Sequence, residues 1–178
     1  SAYLHQNIGN ISGEIVIEQD IRFGMNASFE YGADTSKGTT TAFNSTAFSF
    51  RLDNGKFKLN GTEIGSGEHN KWYHIVLSAD TTSKKCTAKV YDYSADGNYT
   101  SPIAQSSLAD FDSSFTKGAY FRYTLNDKTA NKGIDINNLT IKTAETDEST
   151  FTITAPLSVN IPLSETEKAE LSAEAKTI

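Results

Sequence analysis

Three carboxylates, Glu14, Glu18 and Asp20, and one guanidinium, Arg22, fall within the short stretch "GEIVIEQDIRFG" at Gly13–Gly24. Ile15, Ile17, Ile21 and Phe23 alternate with them. In a β-strand, residues i and i+2 share a face, so the charged residues line one side and the apolar row the other. Paired carboxylates on one face are the machinery of glycoside cleavage, and a retaining mechanism places them about 5 Å apart. Glu18 and Asp20 have the spacing for a comparable separation. The same row could instead be one edge of a ligand-binding face, or plain solvated surface, since an antiparallel sheet commonly has one wet side.

Other candidate chemistry is thinner. His5, His69 and His74 lack metal-ligand spacing. The run Asp92-Tyr-Ser94-Ala-Asp96-Gly97 begins like an EF-hand calcium loop. Its twelfth position, which needs a bidentate acid, is Ile103. An ordinary Asp-Gly turn is the expectation there. A lone cysteine, Cys86, makes neither an internal disulfide nor a zinc cluster.

The elements that must hold these residues are short alternating runs. Phe48, Phe50 and Leu52 share one side of "AFSFRL". "DNG" at 53–55 predicts a two-residue hairpin turn, because Asn-Gly tolerates positive φ. "KFKL" and a second Asn-Gly at 60–61 follow. Further strands are expected at 71–79, 86–93, 119–125 and 133–143. Strand upon strand at such spacing predicts an antiparallel β-sandwich. Trp72, His74 and Val76 share one parity of the 71–79 strand, and Tyr73, Ile75 and Leu77 the other. Both rows are largely apolar, so Trp72 is expected in the core of a strand covered on both sides.

Opposite their apolar partners, several strands offer polar or aromatic residues. They are Arg22; Arg51; Tyr91 and Tyr93; and Tyr120 with Arg122. If gathered on one concave sheet face they would suit carbohydrate. Sugar C–H faces stack on aromatic rings, and the planar guanidinium fork suits hydroxyls and uronic-acid carboxylates.

Composition bounds the rest. The chain has 178 residues, a net charge of −6 and no basic block longer than Lys84-Lys85, which argues against a nucleic-acid backbone binder. No apolar run approaches the roughly 18 residues of a membrane span. No signal peptide is visible and Ser1 is not Met, so the chain is read as a mature fragment or excised module. Residues 144–150, "AETDEST", form a polar break after a sandwich at 1–143. The remainder, 144–178, is expected as a linker or C-terminal extension, in which "FTITA" at 151–155 could form one more strand. It would hold a helix over 164–175, where Ser164 and Glu167 form a capping box.

From "RLDNGKFKLNG" to "KWYHIVLSAD", with its Trp72-Tyr73-His74-Ile75, the chain resembles the concanavalin-A-like and laminin-G-like lectin and glucanase sandwiches. "SGEIVIEQDIRF" and "GIDINNLTIKT" resemble the terminal strands that pair in those jelly rolls. The resemblance spans roughly residues 8–143. It implies an all-β jelly roll of the kind found as carbohydrate-binding modules of secreted bacterial polysaccharide-degrading enzymes. Laminarinase-like members carry a Glu-x-Asp-x-(x)-Glu strand; here Val16 stands where the aspartate belongs. The resemblance also implies a structural calcium ion held by Glu14 and Asp135, beside the reading that Asp135 merely caps or is solvated.

The leading expectation is therefore a non-catalytic, extracellular or cell-surface carbohydrate-binding module, adjacent to other modules of a larger chain. The alternatives are a glycoside hydrolase or lyase of the same fold, and a protein-binding adhesion or spacer domain.

Overall fold

The computed structural model describes residues 2–33, 45–125, 132–143, 151–153, 157–160 and 168–170. In chain order the strands are β1 (Ala2–Asn7), β2 (Glu14–Phe23), β3 (Ala27–Ala33), β4 (Ser45–Asp53), β5 (Lys56–Leu59), β6 (Thr62–Ser66), β7 (Trp72–Asp80) and β8 (Lys85–Asp92). They continue as β9 (Ala104–Gln105), β10 (Ala109–Asp110), β11 (Tyr120–Leu125), β12 (Gly133–Thr143), β13 (Phe151–Ile153), β14 (Leu157–Asn160) and β15 (Lys168–Glu170). The first sheet runs β15-β1-β11-β3-β4-β5-β6. The second runs β10-β8-β7-β2-β12-β13, with β14 also on β12 and β9 on β8. The pairings are antiparallel except β1 with β15, which is parallel. This is an all-β jelly-roll sandwich.

Period-two alternation builds the core between the sheets. The first sheet turns aromatic rings inward: Phe29, Tyr31, Phe48, Phe50, Phe57 and Phe121 are all buried. Phe29 stacks on Phe50 at 4.9 Å, and Phe57 meets Tyr73 edge-on at 5.0 Å across the sandwich. The second sheet answers with aliphatic side chains, among them Ile15, Ile17, Ile21, Ile75, Leu77, Val90, Ile134 and Ile136. Each such side chain contributes about 1.5–3 kcal/mol when fully buried.

One inward position of β2 is polar. Gln19 sits between Ile17 and Ile21 with no exposed surface, and its Oε1 accepts the hydroxyl of Tyr123 from the opposite sheet. Burial pushes the Tyr123 phenol well above its ordinary range, so it stays a donor.

Both Asn-Gly pairs make the expected hairpins. Asn54 and Gly55 have φ of 49° and 74°, and Asn60 and Gly61 have 48° and 84°, the signature of type I′ turns. Two adjacent hairpins thus fold β4, β5 and β6 into a meander.

The C-terminal region departs from expectation. Lys168–Glu170, inside the expected helix 164–175, is strand β15 lying along β1. The rest of that helix lies outside the described residues, among which no helix occurs. The apolar stripe of that segment is little more than Leu171 and alanines, too thin to hold a helix on the body. A sheet edge instead offers its backbone ready hydrogen bonds. The expected linker also supplies β13 and β14, which share the outer edge of β12.

Candidate functional site

The outer face of the second sheet is built from β12, β2, β7 and β8. With the odd-numbered side chains of β2 buried, Glu14, Val16, Glu18, Asp20 and Arg22 project outward. The register places Asp20 opposite His74 and Arg22 opposite Trp72 on β7, and His74 opposite Tyr91 on β8. On the other side Arg22 faces Asp135 and Glu18 faces Thr140 of β12.

Two irregularities turn this flat face into a pocket. First, β12 bulges between Asn137 and Thr140, and Asn138 takes φ 52°, a left-handed conformation that asparagine tolerates better than most residues. The bulge aims Asn138 Nδ2 at Asp20 Oδ2, 2.7 Å away. Second, the chain after β8 doubles back over the sheet. Asp96 holds this turn, accepting from Ser94 Oγ at 2.6 Å and from the Asn98 amide at 2.9 Å. The turn lays the Tyr99 ring flat on His74, with centroids 3.9 Å apart and planes 5° off parallel.

Asp20 is the anchor of the site. It is 3% exposed, and a buried carboxylate demands hydrogen-bond donors. Oδ1 accepts from His74 Nδ1 at 2.9 Å, and Oδ2 accepts from Asn138. The Tyr99 hydroxyl lies 3.1 Å from the Ser94 carbonyl and 3.4 Å from Asp20 Oδ1. Its single proton serves one of them at a time. Burial first, and the Asp20 charge second, push the Tyr99 phenol up, so it remains protonated. Because the carboxylate only accepts, His74 donates through Nδ1 and presents Nε2 as the remaining ring nitrogen.

The resulting pocket holds about 220 Å³, and its walls include Glu18, Asp20, His74, Tyr93, Tyr99 and Asn138. Tyr93 stands at the rim, 42% exposed, 6.1 Å from the Trp72 ring. Arg22 lies over Trp72 at 5.6 Å. It is also tied to Asp135, with Nε and Nη2 at 2.7 and 2.5 Å from the same oxygen. Tyr91 lies 6.0 Å from His74 and 5.7 Å from Tyr99. Glu18 is partly exposed, with the Lys142 ammonium 3.6 Å away. The Glu18–Asp20 pair suspected of catalysis is therefore unequal: Asp20 has protein donors on both oxygens, whereas Glu18 opens to solvent.

The six expected ligand-binding residues divide between two faces. Arg22, Tyr91 and Tyr93 come together at or beside this pocket. Arg51, Tyr120 and Arg122 lie on the outer side of the first sheet, where Arg122 pairs with Glu30 and Arg51 with Ser28 in the strand register. Arg122 is 3% exposed, and its Nε and Nη2 both reach Glu30 Oε2, at 3.1 and 2.5 Å. A single face carrying all six does not form, because β2 and β8 belong to one sheet and β4 and β11 to the other.

Glu14 and Asp135 cannot share one ion. Asp135 is level with Arg22, eight positions from Glu14 along β2 (14 to 22), or about 27 Å at strand rise. Among the described residues, no group of three or more His, Cys, Asp or Glu side chains gathers in metal-binding proximity. Asp96 forms the ordinary turn expected of it.

Trp72 and His74 are not core. Both sit half-buried on the outer face while Tyr73, Ile75 and Leu77 fill the interior. Their shared parity was visible in the sequence but its outward direction was not, since both rows of the strand are largely apolar, and nothing local marked Tyr99 or Asn138.

Comparison with known proteins places this architecture. No family model matches the chain, and no curated protein matches it. Among solved structures, a sialidase aligns over 79% of this chain with a TM-score of 0.56 and 13% identity. A native heptameric SAP-like pentraxin from Limulus polyphemus aligns over 89% of each chain at 9% identity with a TM-score of 0.36. The chain spans 14% of the sialidase's length. The similarity to the sialidase is one of fold.

Proposed function

We propose that this chain is a non-catalytic carbohydrate-binding module. It would act outside the cell, on a secreted enzyme or surface complex, with the pocket beneath Tyr93 as its glycan site. The observation that carries this reading is the row of rings on the outer face of the second sheet. Trp72 with Tyr93, and His74 with Tyr99 and Tyr91, form two aromatic clusters around a pocket with polar walls. Rings give a sugar its stacking surface, and Glu18 and Asn138 stand at the wall for its hydroxyls. The volume suits one sugar ring, being below the roughly 300 Å³ at which pockets for drug-sized ligands begin. Affinity would then come from repetition along a polysaccharide or from neighbouring modules.

Binding is supported over hydrolysis by the engagement of Asp20. A general acid or nucleophile must meet its substrate directly, whereas both Asp20 oxygens already accept from protein.

A glycan array tests the proposal. Binding should fall roughly three- to tenfold in Tyr93→Ala, the loss expected for one aromatic contact. It should be unchanged in Arg51→Ala, on the opposite sheet. No bound glycan, or release of reducing sugar by the wild type, would remove the reading.

A further inference from the structure

The pocket has a sign. Among the described residues its titratable walls are Glu18, Asp20, His74 and the phenols of Tyr93 and Tyr99, with no lysine or arginine. Arg22, the nearest guanidinium on the face, is held by Asp135. Lys89 projects from β8 opposite Val76, two pairs further along the strands from His74. Among the described residues, Lys142 is the ammonium beside Glu18. At 3.6 Å it makes a loose ion pair from an exposed side chain, of the kind that contributes little and yields readily. An anionic glycan entering here would meet two carboxylates, with the Lys142 ammonium already engaged by one of them.

Resting on the carbohydrate-binding reading, we infer that the pocket selects a cationic amino sugar, a glucosamine-type residue with a free ammonium, over neutral and uronic-acid sugars. The ring's C–H face lies against Tyr93 and Tyr99. The ammonium takes the place of the Lys142 head group at Glu18, with the Thr140 side chain beside it in the strand register. Aromatic faces add to this, since their quadrupole attracts cations. Asp20 contributes charge across a short distance while its hydrogen bonds keep His74 and Asn138 in place.

The test is calorimetric titration, in mildly acidic buffer, with three soluble oligomers of matched length: β-linked glucosamine, its N-acetylated counterpart, and galacturonate. The glucosamine oligomer should bind most tightly. Glu18→Gln, an isosteric change on the outer face, should weaken it roughly tenfold or more and weaken the N-acetylated oligomer by a clearly smaller factor, so that the preference between the two falls. Tyr93→Ala should weaken both. Thermal melts confirm that each variant is folded. Tighter binding of the neutral or acidic oligomer would overturn the amino-sugar inference and leave the module reading standing. Glucosamine binding indifferent to Glu18→Gln and Tyr93→Ala would overturn it too, as nonspecific attraction to a protein of net charge −6. Binding of none of the three, together with a blank glycan array, would overturn both.

Discussion

At the scale of single residues, Gln19 and Asp20 are neighbours with opposite tasks. Gln19 points into the sandwich and ties the sheets through Tyr123, while Asp20 points out and organises the pocket. Gln19 breaks an otherwise apolar row, and its Nε2 is buried with no hydrogen-bond partner among the described residues. Gln19→Leu alone should destabilise the fold by about 1–3 kcal/mol, because the Tyr123 hydroxyl loses its acceptor. Tyr123→Phe alone should strand the Gln19 carbonyl at similar cost. The double variant should recover much of the loss, since removing both partners leaves no orphan. Denaturant unfolding of the four proteins measures this, and strictly additive losses would contradict the coupling.

At the scale of elements, the β12 bulge shapes the site. A regular β12 would continue its ladder with β2 and give Asn138 no reason to reach Asp20. Two substitutions separate backbone from side chain. Asn138→Gly keeps the left-handed φ accessible and loses only the bond to Asp20. Asn138→Ala loses that bond too and, unlike glycine, keeps a Cβ in the left-handed region, a difference of about 1–2 kcal/mol between the two variants. The alanine variant should therefore melt lower than the glycine variant, and glycan affinity should fall in both. Equal melting of the two would show that the bulge carries no conformational demand. The hairpins at Asn54-Gly55 and Asn60-Gly61 are simpler, since each depends on a local dipeptide and was legible from it.

For the whole molecule, acid is the informative stress. A hydrogen bond from Lys58 holds Asp53 below the ordinary aspartate value of 3.8, and the Ser114 amide does the same for Asp112. A depressed folded-state value means the contribution is fully present above the unfolded value and is lost as pH falls through the lowered one. Stability should thus hold steady above about pH 5 and decline towards about pH 2. Lys58→Met should shrink the decline by removing the Asp53 share. Chemical denaturation across that range provides the measurement, and an unchanged slope in the variant would count against this assignment.

What the sequence determined by itself was local. Alternation in Glu14–Phe23 and in the Phe48 strand showed which side chains face inward, because a strand's own periodicity encodes that; in Gly133–Thr143 the bulge shifts the inward row from Ile134 and Ile136 to Leu139 and Ile141. Even there β3 went unanticipated, although Ala27, Phe29, Tyr31 and Ala33 alternate inward with Ser28 and Glu30 between them. Alternation does not say which sheet a strand joins. That choice rests on pairings between distant residues, and it sent Arg22, Tyr91 and Tyr93 to one outer face and Arg51, Tyr120 and Arg122 to the other. The pocket itself arose from tertiary structure alone. A turn at Asp96 lays Tyr99 on His74, and a bulge brings Asn138 to Asp20 across 118 positions of chain. Neither contact leaves a local pattern, because the donors find their carboxylate only after the two sheets have formed.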